Sequence, residues 1–317
     1  MNPQPSAVVD ETEPLEWSLD DCADRPAHDR ILLVEPTHFD VTYAINPYMG
    51  GTVDRDRARE QWTDLRDAYD RYVDVVVLDP DAIEDAAADV AEEGAESGAL
   101  PAPPETFPDL VFAANLGVPT ADGAGILLAT MATEERTGEP AYLASWGTDA
   151  GYEVLNPPAD PFEGTGDARW HPGKRLLWGG YGVRSERAAY DELTERLDVP
   201  VLTLELTDDR FYHLDVCLSP LDETTALIVP ESLTDDGIDR IGSVFETVLE
   251  IPGEEAVEGM AGNAHCVDGE HVLLPAGNSE TEELLADAGY EPIPVDVDEF
   301  HKAGGSVFCL SLELGTP

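Results

Sequence analysis

Apolar and polar positions along the chain follow two periods. ILLVEP (31–36) and VDVVVLDP (73–80) are short continuous apolar runs, as expected of strands buried on both faces. Between them, DRDRAREQWTDLRDAYDRY (54–72) places Ala58, Trp62, Leu65 and Tyr69 on one face at helical spacing. The same alternation continues downstream. Strands are expected at 109–115 (DLVFAAN), 124–130, 174–180, 199–206, 213–221 (HLDVCLSPL), 225–230 and 270–277, and in EPIPVDV and SVFCLSLEL. Helices are expected in DAIEDAAADVAEEGAE and at 184–198, 235–249 and 281–289. Strand pairs alternating with single helices suggest repeated ββαβ units in one α/β domain, residues 29–317. Residues 1–28 read as a flexible acidic lead-in.

Composition changes the picture in one respect. Of 317 residues, 17 are Lys or Arg and 67 are Asp or Glu, a formal net charge of −50. That field repels nucleic acid and anionic membrane, so neither is expected as a partner. The acids are spread through the chain, which points to solubility in high salt, where self-repulsion is screened. It also removes the meaning of a stray acidic cluster. No apolar run approaches the ~20 residues of a membrane helix. The N-terminus lacks the basic and apolar blocks of a signal peptide, so a cytoplasmic protein is expected.

Cys22, Cys217, Cys266 and Cys309 are far apart, with no C-x-x-C, which argues against a zinc site or a disulfide scaffold. P-loop, G-x-G-x-x-G and H-E-x-x-H motifs are missing from the sequence. Neither a metal nor an organic cofactor is expected. What remains for a special cysteine is nucleophilic chemistry, which needs a base nearby. Cys309 follows Gly304-Gly305, a pair that permits a sharp turn and close approach. A buried strand cysteine would explain VFCL by packing alone. His213 opens FYHLDVCL two residues before Asp215, and in a strand the two would share a face. Glu163 and Asp167 flank the glycines of PFEGTGDARW, Asp109 and Asn115 bound FPDLVFAANLG, and Asn46 ends FDVTYAIN. Each has an ordinary alternative, a solvated histidine or a plain acidic turn. Cys217 and Cys266 read as packing, His265 and His271 as surface, and His301 as a residue near the Cys309 loop.

Taken together, these segments resemble the guanidino-group-modifying enzymes, the pentein superfamily of arginine deiminase, dimethylarginine dimethylaminohydrolase and the amidinotransferases. FEGTGDA looks like that family's E-G-x-G-D segment, FYHLDVCL like its H-L-D segment, and AGGSVFCLSLEL like its terminal G-G-x-x-x-C segment. The likeness covers roughly residues 30 to 315. FDVTYAINPYM, VFAANLG and GGYGVRSERAAY look closest to the branch with arginine dihydrolase and dimethylargininase-like proteins.

The resemblance implies a five-bladed α/β propeller of ββαβ units around a pseudo-fivefold axis. It implies that Cys309 attacks a guanidinium carbon, that His213 is the acid and base, and that Glu163 orients His213. Asp215 would hold the guanidinium nitrogens, with Asp167 nearby. Arg184 or Arg187 would clamp the substrate carboxylate, the motif fitting either with a one-residue offset. Deiminases and dimethylargininases carry Asp where this chain has Asn115, whereas arginine dihydrolases carry Asn and hydrolyse twice, to ornithine, carbon dioxide and two ammonia. Asn115 and Asn46 therefore point toward that chemistry, since an amide can donate to the carbonyl of a citrulline-like urea. The expected partner is a small guanidino substrate, arginine or an Nω-methylated arginine, and a homo-oligomer is left open. An amidinotransferase using the same Cys309, His213 and Glu163 is the alternative. A non-catalytic propeller binding protein is a remote one, because a charge of −50 suits RNA poorly.

Overall fold

The computed structural model describes residues 5, 7–84 and 100–317. Five sheets organise them, all with one pattern. In each, an inner strand pairs antiparallel with a middle strand, and the middle strand pairs parallel with an outer one. The inner–middle–outer sets are Gly117–Pro119, Gly125–Leu128 and Glu153–Leu155; Ala168–Trp170, Leu177–Tyr181 and Val201–Glu205; Leu218–Pro220, Thr225–Ile228 and Thr247–Glu250; and His265–Cys266, His271–Pro275 and Glu291–Val295. The fifth joins the two ends of the sequence, with Ser311–Leu314 inside, Arg30–Val34 in the middle and Asp74–Leu78 outside.

A parallel pair cannot be closed by a tight turn and needs a crossover. Each middle strand therefore reaches its outer strand through a helix: Pro140–Ala150, Ala189–Leu197, Asp235–Val244, Ser279–Asp287 and Arg55–Tyr69 respectively. Arg55–Tyr69 buries the expected stripe of Ala58, Trp62, Leu65 and Tyr69, and Asp54 caps it by accepting the Arg57 N–H at 3.2 Å. The helix expected over DAIEDAAADVAEEGAE falls mostly on residues 85–99, outside the described residues.

Three expected strands are shorter or absent for a common reason. DLVFAAN forms two 3-10 turns, Pro108–Val111 and Ala113–Leu116. HLDVCLSPL begins with a 3-10 turn, Leu214–Val216, and only Leu218–Pro220 is strand. SVFCLSLEL is strand only over Ser311–Leu314, leaving Cys309 in the preceding turn. In each case buried side chains bond to the backbone and displace the ladder. Asp167 Oδ1 accepts the Leu214 N–H at 3.0 Å, and Asn263 Oδ1 accepts the N–H groups of Phe308 at 2.8 Å and Cys309 at 3.1 Å.

The expected flexible lead-in is corrected. Val8–Asp10 adds a parallel fourth strand beside Val201–Glu205. Arg240 Nη2 donates to the carbonyls of Asp10 and Glu11 at 3.3 Å each and to that of Glu13. The buried Glu11 carboxylate accepts the Glu205 N–H at 2.9 Å and the Thr234 hydroxyl at 2.6 Å. Acidic composition hid these contacts, because few of the acids in this chain carry structural information. Replacing Glu11 by Ala leaves two donors in that site without their acceptor and should cost about 1–3 kcal/mol. It should lower the urea midpoint, while Glu13→Ala on the exposed side stays within about 0.5 kcal/mol. Equal midpoints for the two variants would show that the segment is not packed as described.

Candidate active site

The turns that enter the five inner strands converge their polar residues. The first unit supplies Asn115, the second Glu163 and Asp167, the third His213 and Asp215, the fourth Asn263, and the fifth Cys309. A polar residue thus recurs just before the inner strand about every 50 residues, the repeat length of the units. Asn263 was missed in the sequence. Its signal was this repeated offset rather than any local motif.

Cys309 sits in a bend that needs both glycines. Gly304 has φ +90°, and a Cβ there would lie 2.6 Å from Asn46 Oδ1. A Cβ on Gly305 would overlap the Phe112 ring. The thiol is 3 % exposed. Its Sγ lies 3.1 Å from Asp215 Oδ2 and accepts from Asn263 Nδ2 at 3.1 Å. Burial, followed by the Asp215 charge, pushes this thiol well above its ordinary range. Both causes favour the protonated thiol.

The His213–Glu163 contact expected from the resemblance is present, with Nε2 2.6 Å from Glu163 Oε2. Glu163 is fully buried and also accepts Arg184 Nη1 at 3.0 Å and the Ala132 N–H at 3.0 Å. Burial alone would raise this carboxyl, but the His213 hydrogen bond and the charges of His213, Arg184 and Arg136 hold it far below the carboxylate range. It is a fixed anion beside the imidazole.

Asp215 and Asp109 differ from Glu163. Burial pushes each up to about 6, and each has one Oδ1 oxygen buried without a hydrogen-bond partner. Asp109 Oδ2 accepts the Tyr43 hydroxyl at 2.9 Å. Asp109, Asn115, Asn46, Arg184, His213 and Cys309 line one narrow cavity. It encloses about 10 Å³, room for about one water molecule. Asn115 Oδ1 accepts Arg136 Nη1 at 2.9 Å, and its Nδ2 faces the Glu163 carbonyl at 3.5 Å. Arg136 is fixed by Glu139 at 2.7 Å and was not legible as a site residue, since nothing in MATEERTGEP sets it apart. Asn46 lines the cavity while its side chain ties its own turn, through the N–H groups of Tyr48 and Met49, to the Ala303 carbonyl.

Two expected substrate residues are placed differently. Arg187 is not in the cavity. It pairs with Asp10 on the N-terminal strand and with Asp191 at 3.1 Å, partners hidden by the expectation of a flexible lead-in. Arg184 lines the cavity, as Arg136 does, stacked over Tyr212 at 4.9 Å and donating to the Ile45 carbonyl at 2.8 Å. Asp167 stands behind His213 at 4.0 Å and binds Ser185 Oγ at 2.6 Å. Burial pushes its carboxyl up to about 6. His265, expected at the surface, is buried between the Tyr69 hydroxyl at 2.8 Å and Glu313 at 3.0 Å. His301 contacts Ser306 Oγ at 3.0 Å and does not line the cavity. All four cysteines are unbridged and buried.

Known proteins resemble this chain in sequence and fold. The family profile described as N,N dimethylarginine dimethylhydrolase, eukaryotic, matches residues 84–315. The bifunctional arginine dihydrolase/ornithine cyclodeaminase of Nostoc sp. is 35% identical over 91% of this chain, and the match covers 38% of that protein. The chain thus spans about two-fifths of the length of such bifunctional relatives. The N(G),N(G)-dimethylarginine dimethylaminohydrolase of Mycobacterium tuberculosis is 34% identical, over 91% of this chain and 87% of that one. Among solved structures, the N-terminal domain of a cyanobacterial arginine dihydrolase superposes with a TM-score of 0.78 at 32% identity, covering 91% of this chain and 98% of that domain. It has been captured with substrate in a cysteine-to-serine variant and covalently bonded to a reaction intermediate in an asparagine-to-serine variant. This chain has the mixed α/β fold of those proteins and belongs to the N,N-dimethylarginine dimethylhydrolase family.

Proposed function

We propose that the chain is a hydrolase of the guanidino C–N bonds of free arginine, acting through Cys309, and that its five ββαβ units form one propeller-shaped domain around that residue. The observation that carries this reading is the pair of unpartnered carboxylate oxygens on Asp109 and Asp215, with Asp215 against the thiol. A buried carboxylate without a donor is costly and is complemented by a cationic N–H group. A guanidinium supplies several such donors in one plane.

Substrate binding then sets the chemistry. The bound cation offsets Asp215, which together with burial holds the Cys309 thiol protonated, and so favours the thiolate, the thiol proton passing to His213. The thiolate forms a C–S bond to the guanidinium carbon, and one C–N bond breaks. His213, held by Glu163, gives its proton to the departing ammonia, then takes one from the water that hydrolyses the C–S bond. The products of that round are citrulline and ammonia. A second round on the urea of citrulline releases the second ammonia, leaving ornithine and carbon dioxide. Asn115 favours this second round, because a neutral amide suits a neutral urea. Arg184 holds the substrate carboxylate with donors left over from Glu163 and Ile45. Binding requires the cavity to widen from its one-water size. The acidic surface adapts the enzyme to high salt.

Nω-methylated arginine is the second reading, favoured by the name of the matching family and of the mycobacterial relative. One assay at high salt separates them, with L-arginine and asymmetric dimethylarginine scored for ornithine, citrulline, ammonia and dimethylamine. Ornithine and ammonia from arginine are expected. Dimethylamine as the main product would select the second reading, and no product from either substrate would overturn both. Cys309→Ser should abolish turnover while still binding arginine by calorimetry.

Asn115→Asp should lower the ornithine share and raise citrulline. An unchanged product ratio would remove Asn115 from the explanation.

Asp109 and Asp215 bind the cation only when ionised, and both titrate near 6 in the free protein. Their charge is complete well above that value and is lost as pH falls through it. The kcat/KM should therefore fall on the acid side, starting near pH 6 and steepening toward about a hundredfold per pH unit, about tenfold for each carboxylate. A profile flat from pH 7 to 5 would mean that neither carboxylate binds substrate.

A further inference from the structure

A second cavity, of about 250 Å³, shares no lining residue with the catalytic one. Arg25, His28, Arg169, Trp170, Phe308 and Glu313 are among the residues that form it. Arg25 is 8 % exposed and Arg169 is 4 % exposed. Both guanidinium groups are stacked on rings, Arg25 over Trp170 at 4.5 Å and Arg169 over Phe308 at 3.4 Å. Stacking fixes the planes and leaves the N–H edges to find acceptors. They lack a full set: Arg25 Nε and Arg169 Nη1 are buried with no hydrogen-bond partner. Among the described residues neither arginine is in an ion pair. That is unusual in a chain where acidic residues outnumber basic ones 67 to 17.

Two carboxylates act on the arginines, and both serve other partners: Glu313 is bonded to His265 Nε2 at 3.0 Å and lies 3.6 Å from His28 Nδ1, and Asp215 lies 3.1 Å from the Cys309 thiol. Arg25 Nε and Arg169 Nη1 are left buried without acceptors, a costly state that a bound anion would relieve. Three further acids lie at the rim, each engaged locally. Asp222 accepts from Tyr290, Thr224 and Thr225, Asp268 from His271, and Glu223 lies 3.5 Å from Lys174. His28, His265 and Glu313 are close enough together to chelate a cation. Two buried arginines beside them make the site repel one. His28 Nε2, also buried without a partner, is a further polar edge for the ligand.

We propose that this cavity is a ligand site for a small carboxylate or comparable oxyanion, gripped between Arg25 and Arg169 and separate from the catalytic centre. The site is also coupled to the nucleophile. Phe308 precedes Cys309, and one atom, Asn263 Oδ1, holds the backbone N–H of both. An occupant pressing on Arg169 and Phe308 thereby acts on the turn that aims the thiol.

The test measures binding and needs no turnover, so it stands or falls apart from the proposed reaction. The full chain is titrated by calorimetry with acetate and with inorganic phosphate, and crystals are soaked in bromide for anomalous scattering. A bromide peak between Arg25 and Arg169 is expected. Saturable binding of acetate or phosphate should weaken roughly tenfold or more in Arg25→Met and Arg169→Met. Ala27→Trp, at the exposed edge of the cavity, keeps both arginines and should weaken binding as well. Preference for acetate identifies a carboxylate ligand, and preference for phosphate identifies a phosphate-bearing one. Absence of the bromide peak, or affinities unchanged in Arg169→Met and Ala27→Trp, overturns the proposal.

Discussion

The cavity beside Cys309 is organised around one buried carboxylate. Glu163 accepts three donors from different parts of the chain: the His213 ring, the Arg184 guanidinium and the Ala132 backbone. Through Arg184 it reaches the Ile45 carbonyl and so the loop that carries Asn46. Through His213 it fixes the turn that places Asp215 against Cys309. A lone buried carboxylate would take up a proton instead. Here the surrounding cations make ionisation the cheaper state, and the ionised group orders three segments at once. Breaking such an arrangement from one side leaves an uncompensated charge, so its members hold one another in place.

That fixed anion contrasts with the two carboxylates that have free oxygens. Asp109 and Asp215 are as buried as Glu163, yet the fold leaves an acceptor on each unused. The resting protein stores an electrostatic deficit beside a thiol that it also keeps protonated. On the proposed reading both are relieved by one event, entry of a cation, and activation of the thiol depends on substrate. The narrowness of the cavity, about one water molecule, limits access to the thiol.

The sequence made the scaffold legible and the turns illegible, for one physical reason. Middle strands and crossover helices are decided by apolar periodicity, so Arg30–Val34, His271–Pro275 and Arg55–Tyr69 lie where the pattern puts them. The turns ahead of the inner strands are apolar in composition but are shaped by buried polar contacts from distant units. FYHLDVCL and DLVFAAN therefore read as strands and fold as 3-10 turns. Cys309, His213 and Glu163 were singled out by the resemblance, which carries spacing information that periodicity lacks, and the fold brings them to one place. Asn263, Asp109 and Arg136 were not assigned, since their roles come from the meeting of units rather than from any local motif. Arg187 failed for the converse reason, as its partner Asp10 lay in a segment whose acidity looked like mere solubility.

Acids dominate the composition, yet five arginines, at 25, 136, 169, 184 and 240, are buried. Arg136 and Arg184 pair with Glu139 and Glu163, and Arg240 binds backbone carbonyls of the N-terminal segment. In each of these, the guanidinium links segments far apart in sequence, a task its fork of donors suits better than an ammonium. Arg25 and Arg169 follow the same rule only halfway. They are buried and stacked on aromatic rings, and each keeps a donor without an acceptor although Glu313 lies in the same cavity. Acids are not scarce at depth, since Asp109, Glu139, Glu163, Asp167 and Asp215 are all buried. That Arg25 Nε and Arg169 Nη1 still lack acceptors makes the open donors a property of the cavity.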